Sequence, residues 1–334
     1  MIDFEARSVI EALRSGVSSK SVGQYFSSAR PALSAQLEVC LQEMRENKQS
    51  GGMIISGKYG EGKTHFLKNA FHIAQSNHMV VSFVSLSKET PFDKLYLVYQ
   101  KLIANTYLPG RMQPGFEHIL NELTPVSPLT AQLLEYSLTR LETNKLYFLL
   151  KSFLNTDDEE EKFRLLSDLE GDFIANGNLK QIYKRIFAEK ANFSTNFSKT
   201  KHAMDYFGFF SHLFTKMGYD GWLILFDETE LIGRLGKKSR LTAYKNMHDF
   251  LGNEVPCLEA TYSLFAMSTS FVEDVIESKH EYANLENSSF EAKDKDKIEK
   301  TLASIATATR LSPLTHEEIA AVLQNLKEFH AKAY

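Results

Sequence analysis

A glycine-rich turn constrains this chain more than any other segment. Residues 57–64 read Gly-Lys-Tyr-Gly-Glu-Gly-Lys-Thr; they follow an apolar run at 53–56 and precede a helix-forming run at 65–70. Glycines in such a turn let successive backbone N–H groups point inward around an anion, and the N-terminus of the next helix adds its positive dipole. Strand, glycine turn and helix together predict a loop that binds nucleotide phosphates. We call residues 57–64 the glycine loop.

Individual residues of the glycine loop have predicted roles. Lys63 is expected to reach the β- and γ-phosphates, and Thr64 is expected to hold Mg²⁺. The whole predicted nucleotide-binding set comprises Gly57, Lys58, Tyr59, Gly60, Glu61, Gly62, Lys63, Thr64 and His65. Because the bare pattern also occurs by chance, a loop that binds no nucleotide is the alternative.

Length and composition exclude several classes of protein. With 334 residues, 43% of them hydrophobic, the chain can bury a large core as one big domain or two ordinary ones. A formal net charge of −4 gives no overall field that would draw it onto nucleic acid or acidic membranes. Cys40 and Cys257 are too few for a disulfide framework or a zinc site and fit a reducing compartment.

No targeting segment is evident. The first residues carry no basic stretch followed by an apolar one, and no run approaches the roughly 20 apolar residues of a membrane helix. We therefore expect a cytoplasmic protein without a membrane partner.

Short β-type runs alternate with helical patterns along the chain. The runs lie at 53–56, 79–86, 222–226, 262–267 and 302–309. Buried strands that alternate with helices imply a parallel sheet with helices on both faces. The sequence therefore predicts an α/β fold of three layers.

Helical patterns dominate the remaining segments. Helices are predicted over 3–15 and 31–47, and helical periodicity between the second and third β-type runs, near 128–154, 178–190 and 201–217, predicts an insertion and not a linker. Few large apolar groups occur over 277–300, which we expect to be an exposed connection.

The third β-type run ends in two acids. Residues 221–226 are apolar apart from the first glycine and deliver Asp227 and Glu228 to the edge where open α/β sheets bind ligands. Asp227 is expected to organise the Mg²⁺ shell. Glu228 is expected to orient and polarise the water that attacks the γ-phosphate. An acid pair that only ends a strand in a polar turn is the alternative.

Hydroxyl groups end the fourth β-type run. Either Thr269 or Ser270 is the candidate sensor that hydrogen-bonds the attacking water or the phosphate, and a cap on the following helix explains them equally well. The acid pair and the hydroxyl-tipped strand together favour an AAA+ type of P-loop ATPase. A small-molecule kinase would more often carry a lid with several arginines.

A cation that completes the site is harder to identify. No arginine occurs between Leu241 and Thr309, so a positive charge that stabilises the transition state must come from elsewhere. The candidates are Arg234, Arg240, Arg310 and Lys279, of which we assign the catalytic role to Arg310. A solvated helix start explains Arg240 more simply, and a strand-end charge is the alternative for Arg310. Thr315 is predicted to cap a helix with Glu317 and Glu318 in its first turn.

Five segments of the chain together carry a family resemblance. They lie at 6–17, 57–67, 86–91, 218–219 and 310–315, within a span from about residue 6 to 324. Together they resemble the ATP-binding proteins of bacterial BREX phage-exclusion systems, of the BrxD type, which belong to the initiator-like AAA+ ATPases.

The resemblance implies an ATPase that works with a helicase-like partner in antiphage defence and carries a DNA-binding winged helix near its C-terminus. It supports the roles of Lys63, Thr64, Asp227 and Glu228, and by analogy it places residues 22–26 near adenine. Because the sequence stops one helix past residue 315, we expect a truncated lid. Either the sequence is part of a longer protein, or it belongs to a shorter relative that contacts DNA indirectly, through a partner.

The expected architecture is a three-layer P-loop AAA+ core whose five parallel strands lie in the order 5-1-4-3-2. Its expected parts are an N-terminal helical lead-in (1–50), two parts of the core (51–108 and 219–314), a helical insertion between strands 2 and 3 (109–218) and the start of a lid helix (315–334).

The expected function is Mg-ATP binding and slow hydrolysis in a BREX-like or related DNA-transaction complex, in a homo-oligomer that forms with nucleotide. A nucleotide-gated scaffold with negligible turnover is the first alternative. A small-molecule kinase is the second.

Overall fold

The computed structural model describes residues 4–15, 30–111, 113–252 and 254–334. Residues 22–26, which the resemblance associates with adenine, lie outside this described part of the chain. Among the helices in the four described ranges, none is long and apolar enough to cross a lipid bilayer.

The first part of the chain alternates helices and strands. Its elements are α1 (Phe4–Arg14), α2 (Pro31–Asn47), β1 (Gly51–Gly57), α3 (Lys63–Ser76), β2 (Val80–Ser85), α4 (Leu95–Ile103) and β3 (Thr106–Tyr107). The two helices predicted before the sheet are confirmed, and so are the first two strands.

The stretch between β3 and the next strand is helical. It contains α5 (Glu117–Asn121), α6 (Pro128–Thr139), α7 (Lys145–Asn155), α8 (Glu159–Ser167), a π-helix (Asp168–Asp172), α9 (Asn176–Phe187), α10 (Lys199–His202) and α11 (Met204–Lys216). The predicted helical periodicity of this stretch is confirmed.

The last part returns to the sheet. It contains β4 (Trp222–Asp227), a 3₁₀ helix (Thr229–Arg234), α12 (Lys237–Leu251), β5 (Thr261–Ser268), a π-helix (Val272–Glu277), α13 (Glu281–Glu286), α14 (Ala292–Ala306), β6 (Thr309–Arg310) and α15 (His316–Ala333). Thr315 caps α15 as predicted: its hydroxyl accepts from the Glu318 N–H, and the Glu318 carboxylate accepts from the Thr315 N–H.

The six strands form one sheet in the order β3-β2-β4-β5-β1-β6. All neighbours pair in parallel except β2 and β3, which are antiparallel. The fold is therefore α/β with a mostly parallel sheet, which is compatible with a P-loop fold. Read from the β6 edge, the order is β6-β1-β5-β4-β2-β3, so the sheet differs from the predicted five-strand order 5-1-4-3-2 by the additional edge strand β3. At two residues, β3 is too short to show a period-2 pattern.

Two predictions for the region after β5 are wrong. The segment 302–309, predicted as a strand, is helix α14 up to Ala306, and β6 contains two residues only. Ile298, Leu302 and Ile305 are buried at the three- and four-residue spacing of a helix face, which explains the difference.

The supposed exposed connection over 277–300 is also folded. It contains α13 and the first part of α14. Glu281, which composition alone would assign to the surface, is fully buried because Arg240 of α12 pairs with its carboxylate.

Helices cover both faces of the sheet. Leu223 and Leu225 of β4 face a core that α2 and α3 complete. Trp222, Ile224 and Phe226 face a larger core shared with α4, α11 and α12. This period-2 alternation buries β4 completely and fixes the position of its acidic end.

Candidate functional site

The glycine loop connects β1 to the N-terminus of α3. Gly60 and Gly62 have φ angles of +85° and +89°, which other residues rarely adopt. A Cβ atom at Gly60 would meet nothing within 4 Å, so this position requires glycine for its backbone conformation and not for space. The loop therefore turns through two positive-φ positions that glycine adopts without strain.

The Lys63 ammonium group lies against the start of the glycine loop. Its Nζ donates to the carbonyl oxygen of Gly57 at 3.0 Å and to that of Lys58 at 3.3 Å. The side chain of Tyr59, by contrast, is 99% exposed at the tip of the loop. The structure thus brings Lys63 to the loop interior and leaves the Tyr59 ring in solvent.

A carboxylate also occupies the glycine loop. Oε2 of Glu61 accepts a hydrogen bond from the Lys58 backbone N–H at 2.6 Å. One of the loop's donors is therefore paired with a negatively charged group of the loop itself. Any phosphate that enters the loop will be repelled by this carboxylate.

The loop and the acidic strand meet through one hydrogen bond. The Thr64 hydroxyl donates to Oδ2 of Asp227 at 2.8 Å, and Asp227 is 5% exposed at the end of β4. Lys68, one turn further along α3, is half-buried; burial lowers its pKa, while Asp227 acts in the opposite direction. The cationic side chain of Lys68 is thus within electrostatic range of the buried carboxylate.

Glu228 occupies a conformation that is uncommon for a glutamate. Its φ of 55° lies in the left-handed region, its side chain is exposed, and its backbone N–H donates to Oδ1 of Asp227 at 3.0 Å. The turn after β4 therefore presents Glu228 outward from the same sheet edge at which Asp227 is buried.

The acid at position 230, in the 3₁₀ helix after β4, was not predicted from the sequence. Oε2 of Glu230 is buried without a hydrogen-bond partner. Burial raises the pKa of Glu230; Lys63 lowers it, while the carboxylates at 228 and 227 raise it. Glu230 is therefore within electrostatic range of the glycine loop. The available signal was a third acid two residues after the predicted pair.

The end of β5 approaches the start of the glycine loop. The Thr269 N–H donates to the Gly57 carbonyl oxygen at 3.3 Å. Ser270 instead pairs with Ser268: their hydroxyls are 3.1 Å apart, and the Ser270 N–H lies 3.3 Å from the Ser268 hydroxyl oxygen. The structure therefore places Thr269 nearer to the loop, while Ser270 closes a local turn.

The four candidate cations have different environments. Arg310 is exposed in β6, opposite Ser56 of β1, and Arg234 is exposed as well. Arg240 is 7% exposed, pairs with Glu281 and donates to the Leu235 carbonyl oxygen. The interpretation of Arg240 as a solvated helix start is therefore wrong, because its guanidinium group is committed within the chain.

Lys279 is also engaged within the chain. Its Nζ donates to the Gly233 carbonyl oxygen at 2.6 Å. Lys279 thus holds the 3₁₀ helix that follows β4, and Arg240 holds the residue after it. Of the four candidates, Arg240 is buried, whereas Arg234, Lys279 and Arg310 are exposed.

An apolar cleft opens beside the glycine loop. Its volume is about 510 Å³, and its apolar wall consists of Leu13, Pro313, Leu314, Val322 and Leu326. Residues 60–62 and His65 form the opposite wall, and Arg30 lies between the two. A flat apolar group attached to phosphates fits such a site, because one wall offers apolar surface and the other offers loop N–H groups.

Comparison with known protein families identifies the family of this chain. The family model described as BREX system ATP-binding protein BrxC/D matches residues 3–144 and 145–334. The chain belongs to this family. No curated protein matches the chain. The description of the family supports ATP as a ligand of this chain.

The oxygen pair of this BREX family member also fits a magnesium ion. Thr64 and Asp227 offer a hydroxyl and a carboxylate, the hard oxygen ligands that Mg²⁺ prefers. In the described ranges no group of three or more His, Cys, Asp or Glu residues could hold a metal alone. That fits Mg²⁺, which usually takes its remaining ligands from phosphates and water.

Unlike Glu230, Arg30 has no local sequence signal that marks it as part of the site. It precedes α2 in the chain, far from both predicted motifs, and nothing in its sequence neighbours marks it as a loop contact. The guanidinium group of Arg30 reaches the glycine loop only through the fold of this BREX family member.

Proposed function

We propose that this BREX ATP-binding protein is an initiator-like AAA+ ATPase of the BrxD type, which binds Mg-ATP and hydrolyses it slowly by water attack. The observation that carries the proposal is the 2.8 Å hydrogen bond between the Thr64 hydroxyl and the Asp227 carboxylate. It joins a phosphate-type loop to an acid at the end of a buried strand, where P-loop ATPases need both.

Each side chain of the site has a part in this proposal. The N–H groups of the glycine loop hold the phosphates, Lys63 moves from its loop carbonyls to the β- and γ-phosphates, and the apolar cleft takes adenine. Thr64 and Asp227 hold Mg²⁺, which neutralises phosphate charge when bound. Glu228 orients the attacking water, and Thr269 contacts the γ-phosphate or that water.

The proposal extends to partners and assembly. Membership in a BREX system implies other subunits of that system. We propose that one of them is helicase-like, that DNA is contacted indirectly, and that the protein acts in the cytoplasm. We propose a homo-oligomer in the presence of nucleotide, in which exposed Arg310 completes a neighbour's site. The division into a lead-in, two core parts, an insertion over 109–218 and a lid helix belongs to the same proposal.

Binding and turnover test the proposal separately. Calorimetry should detect association of wild type with Mg-ATP, and Lys63→Ala should weaken it strongly because the loop loses its charge on the phosphates. Wild type should also release phosphate into water without an added acceptor. Glu228→Gln should bind ATP and fail to turn it over; full activity in that variant would remove Glu228 from the water-orienting role.

A nucleotide-gated scaffold is the second candidate. It is favoured by the engagement of Arg240 and Lys279 within the chain, which leaves fewer cations for a transferred charge. An ATPase assay over a range of protein concentrations distinguishes the two. Specific activity that rises with concentration supports a shared site, whereas a flat and negligible rate supports the scaffold.

A further inference from the structure

Arg30 joins the glycine loop to the segment before α15. Its Nη2 donates to the Glu61 carbonyl oxygen at 2.8 Å, and its Nη1 donates to the Ser312 carbonyl oxygen at 2.6 Å. One planar guanidinium group therefore holds two backbone positions that are 251 residues apart in number, from 61 to 312. Arginine suits this task because its nitrogens form a rigid fork.

The segment that Arg30 holds leads into a pair of helices, α1 and α15. They pack through two small apolar clusters that are separate from the two large cores of the sheet. Leu326 belongs to both clusters, and the Tyr334 hydroxyl donates to Glu11 of α1 at 2.7 Å. We call α1 and α15 the helix pair. Because its apolar contacts are its own, its position relative to the sheet depends on the segments that lead into it.

The helix pair supplies most of the apolar wall of the cleft. Leu13 comes from α1, and Val322 and Leu326 come from α15. The opposite wall belongs to the glycine loop. A molecule with an apolar end and a phosphate end would contact both walls, and its affinity would depend on how well the spacing between them is fixed in advance.

We propose that Arg30 is a positioning residue that fixes the helix pair against the glycine loop, so that both ends of one nucleotide are bound at a preset spacing. This inference rests on the proposed function, since it concerns how ATP is held. It assigns to Arg30 no contact with the phosphates. It also makes Arg30 the route by which an occupied loop stabilises α1 and α15.

Two ligands separate this role from a direct phosphate contact. ATP reaches both walls, whereas inorganic tripolyphosphate reaches the loop alone. In calorimetry, Arg30→Ala should weaken Mg-ATP binding about tenfold and change tripolyphosphate binding less than about twofold, because only ATP needs the spacing. Equal losses for both ligands, or no loss for ATP, would overturn the proposal.

Two further variants test whether the forked geometry of the Arg30 guanidinium group is needed. Arg30→Lys keeps the charge but has one nitrogen at its tip, so its ATP affinity should lie clearly below that of wild type. Wild-type ATP affinity in Arg30→Lys would contradict the proposed positioning role of Arg30. Arg45→Ala is the matched control: it removes an exposed arginine of α2 whose carboxylate neighbour, Asp220, lies 3.8 Å away, and it should leave both affinities unchanged.

Hydrogen exchange provides a readout that does not depend on turnover. Without ligand, Arg30→Ala should speed amide exchange in the first turn of α15 relative to wild type. When ATP is added, wild type should gain amide protection in the glycine loop and in the helix pair. Arg30→Ala should gain amide protection in the loop alone. Protection of the helix pair in the variant would overturn the proposal. Absence of ATP binding in wild type would instead defeat the proposed function itself.

Discussion

The Thr64 hydroxyl and the Asp227 carboxylate share a hydrogen bond of 2.8 Å although 163 residues separate them in the chain. The bond links the first turn of α3 to the end of β4, whose side chains are all buried. Both oxygens are therefore held in place by the core, and no induced movement is needed to bring them together. The binding of an ion to these two oxygens therefore costs little side-chain conformational entropy.

Asp227→Asn tests whether this oxygen pair binds Mg²⁺. The amide oxygen can still accept from Thr64, but the negative charge is lost. We expect the gain in ATP affinity that Mg²⁺ provides to fall about tenfold or more, while affinity measured in a chelator changes less than about twofold. Titrations with and without Mg²⁺ measure both numbers. Thr64→Ser retains a hydroxyl and serves as the control; unchanged magnesium dependence in Asp227→Asn would exclude the site.

Glu61→Gln should strengthen ATP binding. The Glu61 carboxylate accepts from a glycine-loop N–H at 2.6 Å, so it adds negative charge where phosphate charge must enter. Its removal should improve affinity by about threefold to tenfold at low ionic strength and by less in high salt. Glu159→Gln in α8 is a control for the change in net charge. Weaker binding in Glu61→Gln would show instead that the carboxylate holds the loop in its binding shape.

Glu230 should make stability depend on pH. Burial raises its pKa above the ordinary value of a carboxyl group, so the folded protein favours the protonated form. Stability from this group is therefore fully present below its unfolded pKa and declines as the pH rises toward the folded pKa. Glu230→Gln should be more stable than wild type at pH 8 and lose that advantage at pH 4, as urea unfolding at each pH would measure. A constant difference would contradict this assignment.

The parts of the site that the sequence predicts are those built from neighbouring residues. The glycine loop needs positive φ angles within three residues, and the acid after β4 follows directly from the end of a buried apolar run. Such local requirements leave a visible pattern. They explain why the sequence alone singles out Lys63, Thr64 and Asp227 as candidates.

The parts that the sequence missed depend on distant pairing. Glu281 is buried because Arg240, 41 positions earlier, pairs with it, and no local pattern contains that information. Arg30 reaches the loop only because α2 packs next to α3 on one face of the sheet. Edge strand β3 has two residues, and pairing with β2 defines it more than its own sequence does.

A buried ion pair in the helical region provides a stability test. The Lys145 ammonium group donates to Asp168 at 2.6 Å, both side chains are fully buried, and the Tyr206 hydroxyl donates to the same carboxylate. Asp168→Asn leaves a buried charge without its partner and should cost about 3–5 kcal/mol in urea unfolding. The double variant Lys145→Met/Asp168→Leu should recover most of that loss, since it removes both charges. A double variant as unstable as the single one would show that lost packing, and not the unpaired charge, causes the loss of stability.

Glu160→Gln is the matched control for this test. It breaks an exposed pair with Arg164 one turn along α8, at 2.6 Å. Screened surface pairs contribute little, so its cost should be below about 1 kcal/mol. A comparable loss of unfolding free energy in Asp168→Asn and Glu160→Gln would mean that burial does not make the ion pair more important for stability.

Arg310 should act on a neighbouring copy and not on its own site. It is exposed in β6 beside β1, so it is available to another molecule. Arg310→Ala keeps Glu228 but lacks the donated charge, whereas Glu228→Gln keeps Arg310 but cannot activate water. Each variant alone should be inactive. Mixed, they should recover part of the ATPase rate, because a site in one copy would receive Arg310 from the other.

The ratio of the two variants makes this test decisive. Recovery should pass through a maximum near equal amounts, where mixed contacts are most frequent, and it should vanish on dilution below the concentration at which copies associate. Light scattering with a non-hydrolysable ATP analogue measures that association directly. If the variants associate and no ratio restores activity, Arg310 does not provide the transferred charge. Exposed Arg234, at the end of the 3₁₀ helix after β4, then becomes the residue to exchange in the same design.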